Sequence, residues 1–428
     1  MNELIEKLSK HNPRYVKNYD NYVGGDFIQY SGQVWDEKEM FAIYDTIANG
    51  SWITAGANVA RFQQQFSRKF NVKYSQMVNS GSSANLVMIA AAKKFFEWED
   101  DDEIIVSPVG FPTTIAPIVQ NKLKPIFVDI ELDSLNFDVE LIQDKITDKT
   151  RAIFVSPVLG NPPNMKHIQW LCEDNMLELL GDNCDSLGTK FNDELITEYY
   201  SAWTTSFYPA HHISTGEGGM ISSNDDGFMN IVRSLSWWGR DCYCVGSNNL
   251  LECGTCGNRF DKWLENYDGI IDHKYLFTNI GYNLKPLDFQ GAIGIEQLKK
   301  FDDLEKKRKE HYDYIKHCLL TQIDGIKVIE ATEHSTPSWF GVPIYCDTQQ
   351  RKESLVAYFE KNKIQTRSYF AGNILMHPGF KHLDDYKKYP NANLALSNVF
   401  FLGCSPLYNY KVLEYIRDVC IKEKEWNK

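Results

Sequence analysis

Between about residues 70 and 225, short apolar runs alternate with amphipathic helical stretches, and this rhythm restricts the fold more than any other property of the chain. The apolar runs are YSQMVNS, EIIVSPV, PIFVDI, AIFVSPV, MLELLGD and YYSAWTTSF, and SANLVMIAAAKKFF supplies the first helical stretch between them. Strands separated by helices pair in parallel, because the crossover returns the chain to the same end of the sheet. The pattern therefore predicts an α/β class with a mostly parallel sheet covered on both faces. In such sheets ligands gather outside the carboxyl ends of the strands. Several unusual polar motifs fall there.

From Pro286 the run DFQGAIGIEQLKKFDDLEKKRKEHYDYIKHCL keeps helical spacing, which predicts a long helix leading into a second unit. Strand-like SWFGVPIYC and helix-like ESLVAYFEKNKI follow it. The 428 residues are thus divided into an N-terminal arm with a large domain over 1–320 and a small C-terminal α/β domain over 321–428. Within the first, residues 236–262, SWWGRDCYCVGSNNLLECGTCGNRFDK, have no periodicity and read as a long loop. A loop of that length inside a compact domain is functional or disordered, and its four cysteines favour function.

A net charge of −12 argues against nucleic acid or an anionic membrane surface as partner, while leaving room for a local phosphate pocket. No hydrophobic run approaches the ~20 residues that span a bilayer. The N-terminus, MNELIEKLSKHNPRY, mixes charges and lacks an apolar signal core, so a cytoplasmic location is expected. Of the ten cysteines, Cys172, Cys318, Cys346, Cys404 and Cys420 are scattered and read as small buried hydrophobes. Cys242, Cys244, Cys253 and Cys256 crowd into fifteen residues. Without a secretion signal such a cluster points to metal or iron–sulfur ligation rather than disulfides. By spacing alone, structural zinc is an equal candidate.

The run Asn79-Ser80-Gly81-Ser82-Ser83-Ala84-Asn85 follows a strand and opens a helix, so its free amides and hydroxyls suit a phosphate, or serve only as a serine N-cap. Taken in order, NSGSSA, SPVGFPTT, PIFVDI, LGNPPNM, GDNCDSLG, SFYPAHH, GEGG and GYNLKPLDFQGAIGIEQL resemble the DegT/DnrJ/EryC1/StrS family of sugar aminotransferases and dehydratases, over roughly residues 30–310. The resemblance implies the fold-type I, pyridoxal phosphate-dependent architecture of aspartate aminotransferase. It implies that Asp182 pairs with the pyridine nitrogen, that Phe111 lies against the ring face, and that Asp185 sits near the ring hydroxyl. Ser82, Ser83 and Ser206 would hold the cofactor phosphate. Asn283, in GYN, would reach the phosphate of a neighbouring subunit, so a homodimer with shared active sites is expected.

Where these relatives typically read SFHP-x-K, this chain has SFYPAHH, with His211 in the lysine's place. Histidine forms no Schiff base with the cofactor. The resemblance then implies pyridoxamine 5'-phosphate (or pyridoxal 5'-phosphate) held without a covalent tether, its amine condensing with a sugar ketone. His211 would remove a proton from the cofactor C4′, and the sugar C3 hydroxyl would leave; a side chain with an ordinary pKa of ~6.5 suits that task. His212 reads as a supporting residue.

Two branches share the histidine: colitose-type dehydratases and iron–sulfur 3-dehydrases. Cys184, Cys242 and Cys244 resemble the first three ligands of the latter's C-x57-C-x-C-x7-C pattern. The fourth departs: Cys256, matched by its CGNRF flank, follows eleven intervening residues, and the rival Cys253 follows eight. On this resemblance the expectation is a 2Fe-2S cluster on Cys184, Cys242, Cys244 and Cys256, fed by a separate electron-donating reductase. The substrate would be a nucleotide-linked, CDP-type 4-keto-6-deoxyhexose, deoxygenated at C3 for lipopolysaccharide or another glycan. The alternatives are a cluster-free colitose-type enzyme acting on GDP-4-keto-6-deoxymannose, with zinc or nothing on the cysteines, and a non-catalytic sugar-nucleotide sensor.

Overall fold

In the computed structural model, which describes residues 2–9, 19, 22–50, 53–241, 260 and 264–426, the strand–helix rhythm becomes a seven-stranded sheet. Three helices lead in: α1 (Asn2–Ser9), α2 (Glu37–Asn49) and α3 (Ala57–Lys69). The alternating region follows as β1 (Tyr74–Val78), α4 (Gly81–Phe95), β2 (Glu103–Val106), α5 (Pro112–Gln120), β3 (Lys124–Phe127), β4 (Thr150–Val155), α6 (Met165–Asn175) and β5 (Glu178–Asp182). After the short β6 (Lys190–Phe191) and β7 (Glu194–Leu195) come β8 (Ala202–Ser206), β9 (Gly219–Ser223) and α7 (Asp226–Ser236).

The strand order is β1-β9-β8-β5-β4-β2-β3, and the pairings from β8 through β3 are all parallel, as the sequence rhythm predicts. One strand runs the other way. β9 pairs antiparallel with both β1 and β8, in register from Ala202↔Ser223 to Ser206↔Gly219. Its sequence, GMISS, is too short and polar to announce itself as a strand. The reversal matters because the connection from β8 to β9 then hangs over the carboxyl end of β8, beside the carboxyl end of β5.

Helix α4 forms because Ser80 caps it, accepting from Ser83 N at 3.1 Å, and because a run rich in Ala, Val, Met and Ile buries one face on the sheet. On α3, Phe62, Phe66 and Phe70 recur at i, i+4 and i+8 and are all buried. Their rings meet Trp203 of β8 (5.7 Å from Phe66) and Phe207 just past it (5.2 Å from Phe62), so the start of the β8–β9 connection is packed from below.

Helix α8 (Asp288–Gln322) carries the chain past residue 320 into a second sheet. The remaining elements are β10 (Ile326–Val328), β11 (Ser335–Thr336), β12 (Gly341–Cys346), α9 (Gln349–Lys361), β13 (Thr366–Ser368), α10 (Pro390–Asn398), β14 (Val399–Gly403) and α11 (Tyr410–Trp426). β10-β12-β14-β13 is antiparallel throughout. Tyr312, Ile315 and Leu319 of α8 share its core with Val342, Ile344, Phe400 and Leu402. The segment before α2 joins the same core through Tyr19, Tyr22 and Ile28, and Ile28 bridges Ile364 in parallel. Cys172, Cys318, Cys346, Cys404 and Cys420 are buried and free, as expected, and burial pushes the Cys172 and Cys346 thiols up to about 12.

A polar cap ties α8 to the start of α3. Gly56, which opens α3, offers no side-chain cap, and buried Asp288 supplies one from the start of α8. Its Oδ1 accepts from the amides of Gly56 (2.9 Å), Asn58 (3.0 Å) and Val59 (3.0 Å). Replacing Asp288 by Ala would strand those amides, so we expect Asp288→Ala to lower stability by about 1–3 kcal/mol, read as a shift in the urea midpoint, with Asp288→Asn losing less.

Candidate active site

Where the strands end, residues from both sheets close on one cavity of about 760 Å³. Its floor is the carboxyl end of β5. Asp182 is buried there, and two donors hold its Oδ2: Asn85 Nδ2 of α4 at 2.8 Å and Thr114 Oγ1 of α5 at 2.6 Å. Asn85 is oriented in turn by Thr204 of β8, whose hydroxyl donates to Asn85 Oδ1. Oδ1 of Asp182 takes only a long 3.3 Å bond from the Cys184 amide and borders the cavity, so one face of a firmly anchored carboxylate is left for a ligand.

One wall is the N-terminus of α4. Helix geometry leaves the Gly81 and Ser82 amides without intrahelical acceptors. A Cβ on Gly81 would lie 2.5 Å from Ser206 Cβ and 3.1 Å from Cys184 Sγ, so glycine is what lets β8, β5 and α4 converge here. Ser80, Ser82, Thr113 and Ser206 put hydroxyls on this wall with no basic side chain among them. Ser83 does not line the cavity; its hydroxyl and amide are both taken by Ser80. Phe111, exposed at the start of α5, closes one side and meets Phe370 edge-on at 6.2 Å.

Over this floor hangs the β8–β9 connection, which is pinned from four directions. Phe207 N donates to Gly218 O at 2.8 Å, closing the loop base. The hydroxyl of Ser31 donates to Ala210 O at 2.9 Å. Arg308 of α8 is buried beneath the loop and donates from Nη2 to His211 O at 2.9 Å. His212 reaches the other way, its Nε2 bonded to Ser338 O at 2.9 Å.

His211 itself enters the cavity against the Phe340 ring, with centroids 5.3 Å apart. Its Nδ1 lies 3.5 Å from Asp185 Oδ1, so Asp185 faces the imidazole as well as the cavity. Burial, with Arg308 second, drops the His211 pKa to about 3, which keeps the ring neutral. Burial likewise lifts Asp185 to about 7, against the Leu159 amide that favours its charged form. Cys184 lies deep in the protein yet touches the cavity, and burial with the neighbouring Asp182 pushes its thiol well up.

The cavity therefore gathers Ser82, Phe111, Asp182, Cys184, Asp185, Ser206 and His211. Asn283 lies apart and exposed, its Oδ1 accepting from Lys285 Nζ, and it pairs with Trp237. Cys242, Cys244, Cys253 and Cys256 lie outside the described residues. Among the described residues no group of three or more His, Cys, Asp or Glu could hold a metal ion. Sequence reading placed Asn85 in the phosphate-suited run but not beside Asp182, and did not single out Tyr30, Arg308, Phe340 or Arg367, which reach the site from distant segments without a local motif to mark them.

The sequence profile of the DegT/DnrJ/EryC1/StrS aminotransferase family matches residues 35–420. The chain is 37% identical over 403 residues to a dTDP-4-dehydro-2,6-dideoxy-D-glucose 3-dehydratase of Saccharopolyspora spinosa, covering 92% of this chain and 86% of that protein. It is 34% identical over 429 residues to the lipopolysaccharide biosynthesis protein RfbH of Salmonella typhimurium, covering 97% of each. Among solved structures, E. coli GDP-4-keto-6-deoxy-D-mannose-3-dehydratase with bound hydrated PLP superposes with a TM-score of 0.79 at 30% identity, covering 92% of this chain and 100% of that one.

The two facing groups give opposite pH signatures. Asp185 is raised to about 7, so the stability it lends is full below its unfolded value of ~3.9 and is lost as pH rises through about 7. His211 is lowered to about 3, so its share is full above ~6.5 and is lost as pH falls towards about 3. In thermal unfolding from pH 4 to 8, Asp185→Asn should gain on the parent as pH rises and His211→Asn should gain as pH falls. Parallel curves would contradict both assignments.

Proposed function

The chain belongs to the DegT/DnrJ/EryC1/StrS aminotransferase family, and on that premise we propose that it is a pyridoxamine phosphate-dependent 3-dehydratase of a nucleotide-linked 4-keto-6-deoxysugar. The observation that carries this reading is a neutral imidazole, His211, at the centre of a cavity whose described lining includes no lysine. Without a lysine amine the protein has no group there to bind the cofactor as an internal Schiff base or to run ordinary transamination.

The residues fit the cofactor. The Gly81 and Ser82 amides with the Ser82 and Ser206 hydroxyls suit its phosphate, Asp182 Oδ1 suits the ring nitrogen, and Phe111 closes a side of the cavity. When bound, the protonated pyridine ring supplies an electron sink that acidifies C4′–H and lets a neighbouring hydroxyl depart. Asp182, with Oδ2 already held, keeps the ring nitrogen protonated through Oδ1. With Nδ1 facing Asp185, His211 would present Nε2 to take a proton from the bound cofactor's C4′ and pass it to the C3 hydroxyl as it leaves as water. Asp185 orients the ring and steadies the imidazolium while it exists. Phe340 and Phe370 limit water on that side.

The described site accounts for elimination without an external reductase: the two electrons that deoxygenate C3 would come from the pyridoxamine, which would end as pyridoxal phosphate and ammonia and be restored by an amino donor. The cluster-free, colitose-type reaction is therefore the first reading, and the nucleotide is left at the level of its class. The relatives named above act on dTDP- and GDP-linked sugars, and CDP rests on the cysteine spacing alone. The second reading, a 2Fe-2S enzyme with a reductase, is favoured by one observation: Cys184 lines the same cavity as Asp182. Its thiol is pushed well up where it stands, so a thiolate there would depend on the charge of the metal itself. A homodimer is part of the proposal. Asn283 is exposed and does not line its own cavity, and Phe277 and Ile280 shortly before it in the chain are exposed too, a surface suited to a second copy.

Incubating the pyridoxamine phosphate-loaded protein with CDP-, GDP- and dTDP-linked 4-keto-6-deoxyhexoses should give a C3-deoxygenated ketosugar and ammonia from at least one, without added reductase. His211→Asn should cut turnover by about 10²–10⁴-fold while leaving cofactor absorbance in place. An amino sugar as the main product would refute the dehydratase reading. About two irons per chain, with turnover strictly dependent on a reductase, would select the second reading.

A further inference from the structure

The described lining of the cavity carries three acidic side chains, Asp182 and Asp185 at and just past the end of β5 and Glu217 on the β8–β9 connection, and His211 is held neutral. The one permanent cation among its described residues is Arg367, on β13 of the second sheet. Arg367 is exposed, and it forms no ion pair among the described residues. What holds it is Tyr30: the guanidinium lies 4.6 Å over the phenol ring and bonds its hydroxyl. Tyr30 is itself fixed, its amide donating to Gln365 Oε1 at 3.1 Å and its ring packed edge-on to Phe401 at 5.9 Å. A flexible side chain has thus been laid on an aromatic shelf at the rim, its planar fork open to the cavity.

This cation has no evident use in holding the cofactor, whose phosphate is served at the other wall by hydroxyls and helix amides. A nucleotide-linked sugar brings a second anionic group, a diphosphate carrying about two negative charges, into a cavity whose floor would repel it. We propose that Arg367, pre-set on Tyr30, is the anchor for the diphosphate of the nucleotide-sugar substrate. Its fork matches two phosphate oxygens at once. Ser368 beside it and Tyr208, on the loop that carries His211, line the same cavity and add hydroxyl donors. The anchor belongs to one sheet and the proton-transferring imidazole to a loop of the other, so the substrate spans the two. Because the contact is to the diphosphate, it supplies affinity that is the same for every base.

The proposal rests on the nucleotide-sugar reading, and the test separates the two. Dissociation constants for CDP, GDP and dTDP are measured by calorimetry on the pyridoxamine phosphate-loaded full chain and on R367Q and R367K. Loss of a two-pronged charged contact should weaken binding by about 10- to 100-fold in R367Q, by a similar factor for each diphosphate that the parent binds. R367K, which keeps the charge without the fork, should fall between. With the sugar substrate the loss should appear in KM more than in kcat, and unchanged cofactor absorbance shows that the variants are folded and loaded. R367Q binding these diphosphates as tightly as the parent would overturn the assignment of Arg367 while leaving the dehydratase reading intact. A parent protein that binds none of the three would overturn both.

Discussion

Burying a carboxylate is expensive unless donors meet it, and the architecture of this chain is organised around meeting one. Asp182 is buried at the end of β5 and takes hydrogen bonds from Asn85 of α4 and Thr114 of α5, while Thr204 of β8 fixes Asn85. Two strands and two helices therefore converge through four side chains, and their spacing is set by hydrogen-bond length rather than by apolar packing, which tolerates more slippage. The converging ends leave no room for a side chain at residue 81, where a Cβ would meet Ser206 at 2.5 Å. A helix end suited to an anion on α4 and a carboxylate suited to a cation on β5 are consequences of one polar junction.

The second constraint is topological. Reversing β9 within a parallel sheet turns the β8–β9 connection into a canopy over that junction. A canopy alone would be mobile, because loops expose backbone groups that water satisfies as well as protein does. Here Arg308, Ser31 and His212 bind loop residues to α8, to the segment before α2 and to the strand-leading residue Ser338. The loop that carries His211 is therefore coupled to the second sheet, and Phe340 and Arg367 from that unit complete the cavity. Neither sheet holds the full site alone.

Much of this architecture was legible in the sequence for a physical reason: six apolar runs, each bounded by polar turns, could be satisfied only by a buried parallel sheet. β9 was not, because GMISS is short and gains its strand character from two neighbours rather than from its own composition. At the site, residues at strand ends and helix starts, such as Asp182, Ser82 and Ser206, were marked by the family resemblance of their motifs. Ser83 shared that mark, but the geometry of the N-cap turns it towards Ser80, a detail set by helix phase. Arg308, Phe340 and Arg367 carry no motif, since a salt-free arginine or a phenylalanine in a helix or strand reads as packing until the fold brings it beside a cavity. The cysteine run was conspicuous in sequence, yet of the four cysteines expected as cluster ligands only Cys184 lies within the described residues, so the cluster is an argument from pattern.

The same physics accounts for a histidine at the heart of this site. An amine placed at residue 211 would stand over buried Arg308, whose charge already disfavours protonation of the imidazole. Burial adds in the same direction. A group that must be neutral to accept a proton, and only briefly charged afterwards, is favoured by such surroundings; one that must rest as a cation is not. Asp185 supplies the complement: lifted to about 7, it sits near the point where a small change in its surroundings decides whether it carries charge. Facing Nδ1 at 3.5 Å, its carboxylate can stabilise the imidazolium without Arg308 having to move. Burial and the fixed guanidinium keep the resting ring neutral, the titratable carboxylate would lower the cost of charging it, and in the proposed reaction that balance would let one nitrogen take and return a proton.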